Sequence, residues 1–121
     1  MSDQSESGVA PVQAMLTRVH DVAQLLRDSP SVSREVQSAL AELLDELSAA
    51  LKAPNTPPAE VAHLAESATH LAEILHDQPD EGVLEKARDR LGSALIRAED
   101  HAPIAVGLAR RVIDALANIG I

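Results

Sequence analysis

The sequence predicts an all-α fold: an antiparallel helical bundle of about five helices behind a disordered acidic N-terminal tail. Three observations carry this. Apolar residues recur at intervals of three and four through five stretches. Proline-bearing breaks fall between several of those stretches. No segment alternates with a period of two, and no hairpin turn signal appears. A chain of 121 residues suits one domain, here residues 11–121 behind a tail of residues 1–10.

The tail, MSDQSESGVA, is polar and acidic and has nothing to bury. The first helix is expected from about Pro11 to Asp28, with Met15, Leu16, Val19, Val22, Ala23 and Leu26 at helical spacing. The turn Asp28-Ser29-Pro30-Ser31 ends it and sends the chain back antiparallel. Ser33 is a candidate N-cap for the second helix, which runs to about Lys52. Its seam of Val36, Leu40, Leu43, Leu44, Leu47 and Leu51 is the clearest heptad-like pattern in the chain.

Residues 53–58, APNTPP, read as a hinge whose Thr56 and two prolines start the third helix. That helix should extend to about His76 on a seam of Val61, Leu64, Ala68, Leu71 and Leu75. Asp80 caps the fourth, whose stripe is Leu84, Ala87, Leu91, Ala94, Leu95 and Ala98. Gly92 in its interior suggests a close helix crossing, since glycine costs about 1 kcal/mol there relative to alanine.

The fifth helix starts with Pro103 in its first turn and ends before Gly120, which would let Ile121 fold back onto Leu116. Its polar residues Gly107, Arg111, Asp114 and Asn118 form one stripe, with Arg110 beside it. The apolar arc spans roughly 220°, about twice that of an ordinary surface helix. Such a helix needs cover on two flanks. It is therefore expected at the centre of the bundle, or shared with a partner through Val106, Ala109 and Ile113. Leu43 and Leu47 of the second helix, with Arg111, complete the expected interaction face.

Composition narrows the function. The formal charge is −9, with 13 acids and 4 bases in residues 1–80 and six of each in 81–121. An acidic chain repels phosphate backbones and anionic lipid, so neither nucleic acid nor a membrane surface is an expected partner. No apolar run approaches the roughly 18 residues of a membrane span. The N-terminus lacks a secretory pattern, and a cytoplasmic location is the expectation. Without cysteine there is no thiol nucleophile, disulfide or thiolate metal site. Without Phe, Tyr or Trp the core is aliphatic, and alanine seams must bring helices close.

The third helix carries the one cluster with the residue types of a metal site: His63, Glu66, His70, Glu73 and His76. Glu73 and His76 have the Glu-x-x-His spacing of carboxylate-bridged bundles, which require two such motifs. Only one is present, and the stripe of His63, Glu66, His70, Glu73 and Asp77 lies roughly 150° from the apolar seam, which points it to water. No cofactor is expected. Between residues 53 and 80 five acids and three histidines occur with no Lys or Arg, so histidine protonation should weakly modulate partner binding. His20 and His101 read as structural histidines. Arg110 is placed to pair with Asp114 one turn on.

The C-terminal run Asp114-Ala-Leu-Ala-Asn-Ile-Gly-Ile121, the opening hairpin of residues 12–51 and the segment Leu84–Glu99 resemble a family of short bacterial proteins catalogued as a domain of unknown function. Ala102 separates His101 from Pro103 where that family has them adjacent, and residues 53–78 look like an added helix. The resemblance implies a small helical protein and transfers no catalytic residue. The function expected is a non-enzymatic protein–protein interaction or self-association module. The alternatives are a metal-binding bundle and an acidic adaptor or antagonist of a regulatory protein.

Overall fold

The structure, a computed structural model, describes residues 2–29, 32–52, 59–77 and 80–119, with side chains from residue 13 onward. Five helices follow one another: α1 (Ser2–Arg27), α2 (Arg34–Leu51), α3 (Ala59–His76), α4 (Glu81–Ala98) and α5 (Pro103–Asn118). Four of the five start within two residues of the expected positions. α1 is the exception. It begins at Ser2 and runs through the stretch expected to be an unstructured tail. The 53–58 hinge and the Gly120-Ile121 turn lie outside the described residues.

Helices α2, α3, α4 and α5 close a ring: α2 packs on α3 and α5, and α4 packs on the same two. The α3–α4 contact is the most extensive. α1 lies outside the ring, across α2 and α3. The interior is aliphatic, with Leu40, Leu43, Leu44, Leu47, Leu64, Leu71, Leu91 and Leu116 excluded from solvent. Every residue of the seams read for α2, α3 and α4 is buried.

Two expectations about α5 need correction. It does have cover on two flanks, from α2 and α4, but it is one wall of the ring and not its axis. α2 and α3 are the more enclosed helices, because each also carries α1. Second, Val106, Ala109, Leu43 and Leu47 are 4% exposed or less. They are spent on the intramolecular core and offer nothing to a partner. The small residues Ala105, Ala109 and Ala115 turn inward, where they allow close approach. The larger Ile104 and Ile119 are left outside, 67% and 46% exposed.

Some local expectations also shift. Ser33 and Asp80 hold the N-cap positions with extended backbone, yet neither side chain makes a capping hydrogen bond. Pro103 does occupy the first turn of α5. Gly92 does not mark a tight crossing: a Cβ there would meet only the Ile113 Cδ1 atom at 3.9 Å, an ordinary contact. Gly92→Ala should therefore raise stability by about 0.5–1 kcal/mol in urea unfolding. A loss of stability would show that α4 and α5 are closer than described.

Candidate functional site

The titratable stripe of α3 is the natural place to look for chemistry. His63, Glu66, His70, Glu73 and His76 are half-buried, because α1 and α4 rise on either side, while Asp77 faces water as the helix alone suggested. Each flanking helix reaches across with an arginine. Arg18 of α1 donates to Glu73, at 2.8 Å from Nη2 to Oε1 and 3.5 Å from Nε to Oε2. Arg90 of α4 donates to Glu66 at 2.7 Å. The self-repulsion expected of a base-free segment is thus relieved from outside it.

The Glu73 carboxylate, by accepting from Arg18, holds that guanidinium above the usual arginine range; burial opposes the shift, and the charges of Glu73 and Glu66 reinforce it. A cation whose folded pKa is raised contributes stability below its unfolded value and loses it only as pH climbs through the raised one. That window lies above the ordinary arginine range, so the titration of Arg18 itself adds no pH dependence under working conditions. Its side chains are 40% and 38% exposed, which limits the pair to about 0.2–1 kcal/mol.

His76 has a different task. Its Nδ1 lies 2.6 Å from Oγ of Ser29, and that hydroxyl also lies 2.8 Å from the Leu25 carbonyl. A carbonyl can only accept, so the hydroxyl donates to Leu25 and Nδ1–H of His76 donates to the hydroxyl. The histidine at the end of α3 thereby anchors the end of α1. Ser29 is 2% exposed, so the bond is sheltered.

His63, Glu66, His70, Glu73 and His76 therefore do not converge. One carboxylate turns to α1, the other to α4, His76 bonds Ser29, and His70 borders a recess between α3 and α4. Among the described residues no group of three or more His, Asp or Glu could hold a metal ion. The metal reading rested on one helix and could not register that arginines on two others already occupy its carboxylates.

The basic pair of α5 also finds partners elsewhere. Arg110 bonds Glu99 of α4 at 2.7 Å and not Asp114. Arg111 forks onto Glu42 of α2, at 3.1 Å and 3.3 Å. His101 sits 3.8 Å from Glu60, joining the end of α4 to the start of α3. What the sequence reading missed is the outer flank of α5. Ile104 is exposed, Leu108 is half-buried one turn on, and Ile119 is exposed at the far end. Within the wide apolar arc, Val106 and Ala109 belong to the chain's own core, while Ile104 and Ile119 stay exposed.

No described helix is long and apolar enough to cross a membrane. Neither a curated protein nor a solved structure matches the chain. One family model matches residues 36–121, from the first turn of α2 through α5. The stretch 53–78, set apart above as an added helix, lies inside that span, and the helix outside it is α1. Since the match covers well over half of the chain, the protein belongs to the family described as Domain of unknown function (DUF4404).

Proposed function

We propose that the protein is a non-enzymatic helical self-association module that pairs through the outer flank of α5. The observation that carries this reading is the exposure of Ile104, 67%, and Ile119, 46%, on one flank with half-buried Leu108. Positions 104, 108, 111 and 119 lie along one side of α5, while Ala115 between them faces the chain's own core. An antiparallel second copy sets Ile104 of each chain against Ile119 of the other, with Leu108 beside that contact. Arg111 then falls near the two-fold axis, where the Glu42 of either copy can accept its fork. Such an interface is isologous and closes at a dimer.

Light scattering after size exclusion, read by refractive index because the chain has no aromatic side chains, tests this over a dilution series. The wild type should pass from dimer to monomer. The double variant Ile104→Glu, Ile119→Glu should stay monomeric with unchanged helicity, since both side chains are at the surface. A wild type that is monomeric at every concentration removes the proposal.

A further inference from the structure

Three of the four cations of α4 share one face, a grouping that the net charge does not show. Glu81, Glu85 and Asp89 fall on one side of the helix at about 100° per residue, with Arg88, which bonds Asp89, among them. Lys86, Arg90 and Arg97 fall on the other, the side toward α3, and all three are exposed. Arg90 is engaged by Glu66. Among the described residues Lys86 and Arg97 have no ion-pair partner. On a chain of charge −9 this is a local row of cations. The nearby α3 carboxylates Glu60 and Glu66 are already in contact with His101 and Arg90.

Beside that row the α3–α4 groove opens into a recess of about 280 Å³. Its walls are Ile74 and His70 of α3 and Val83 and Ala87 of α4, with Lys86 and Arg90 at the rim. Val83 is 45% exposed, an aliphatic side chain left at the mouth of an aliphatic hollow. Apolar floor and cationic rim run in the same direction along one helix pair.

We propose that the α3–α4 groove is a docking site for an acidic amphipathic helix of a partner protein. One aliphatic residue of that helix enters the recess between Ile74 and Val83. Its carboxylates meet Lys86 at one end and Arg97 at the other. Those two cations are about three turns apart, roughly 16 Å along the axis, so the bound helix needs about four turns. Charge complementarity selects the occupant. An extended polyanion or a lipid surface would also meet the acidic remainder of the molecule and be repelled, whereas a single helix confined to the groove can set its carboxylates on Lys86 and Arg97 and keep clear of Glu66, which is held by Arg90, and of Asp77 at the end of α3. This surface is separate from the α5 flank, and the two are read out independently.

The probe is a fluorescein-labelled designed peptide of about four turns with a leucine row flanked by glutamates; its counterpart carries lysines instead. Anisotropy with the full-length protein should give saturable binding of the acidic peptide and none of the basic one. Lys86→Glu combined with Arg97→Glu should weaken binding by about tenfold or more with helicity unchanged. Amide shifts on titration should centre on His70, Ile74, Val83 and Lys86. Absence of binding, equal binding of both peptides, or an affinity indifferent to the double variant overturns the proposal. So does binding confined to phosphatidylserine-containing vesicles or to oligothymidylate.

Discussion

Leu47→Ala should lower the free energy of unfolding by about 3 kcal/mol, read as a shifted urea midpoint in far-ultraviolet circular dichroism. Leu47 is wholly shielded in α2, among the leucines that fill the ring of four helices. Truncation removes the transfer energy of its methyl groups and leaves a void. Leucine, valine, isoleucine and alanine supply nearly all of this core, so no aromatic ring is at hand to swing into the gap. A domain of this size is stable by about 5–15 kcal/mol, and one such loss is a large fraction of that. The same substitution separates two roles for the residue. A contact residue would lose binding and keep its stability. A change below about 1 kcal/mol would return Leu47 to the surface and undo the packing described above.

The helices were legible because each wears its own seam. Val36 to Leu51 in α2 and Leu84 to Ala98 in α4 carry enough periodic apolar residues to declare both the helix and its buried face. What could not be read was which helix stands opposite which. Arg110 has Asp114 one turn away and bonds Glu99 instead, because the antiparallel α4–α5 hairpin brings that carboxylate alongside. Gly92 looked like a crossing point, but the neighbouring Ile113 stops short of it.

The candidate site shows the same division. The stripe His63 to His76 was legible as a set of residue types on one helix. Its half-buried state, its arginine partners and the Ser29–His76 bond depend on how α1 and α4 pack against α3, which the α3 sequence by itself does not encode. The α5 arc is the instructive failure. Periodicity marked the arc as apolar, yet only part of it is covered: Ala105, Val106, Ala109, Val112, Ala115 and Leu116 are buried, while Ile104, Ala117 and Ile119 stay exposed. Patterning by hydrophobicity alone cannot tell which apolar positions a neighbouring helix reaches.

Removing α1, by starting the chain at Arg34, should cost several kcal/mol and expose a groove that binds a hydrophobic dye. The ring of α2 to α5 is closed without α1, and the span matched by the family model begins only at Val36, so a self-sufficient ring is the opposing expectation. Packing argues against it. α1 buries Val19, Val22, Ala23 and Leu26, and each fully buried Val or Leu contributes about 1.5–3 kcal/mol. The faces it covers are built for cover. Around Gln37, whose side-chain amide donates to the Leu26 carbonyl, helical spacing places Ala41 and Leu44 on α2. Around His76 it places Ala65, Thr69 and Ala72 on α3, all buried. Uncovered, those residues form a continuous apolar channel between two helices, rimmed by Asp45 and Glu73 once Arg27 and Arg18 have left them. Such a channel takes up dye or a second chain. Adding a peptide of residues 13–29 in trans should reverse the dye signal, because the groove is complementary to α1 and not merely greasy. Equal stability of the shortened and full chains, without dye uptake, would mean that α1 rests on the ring without holding it.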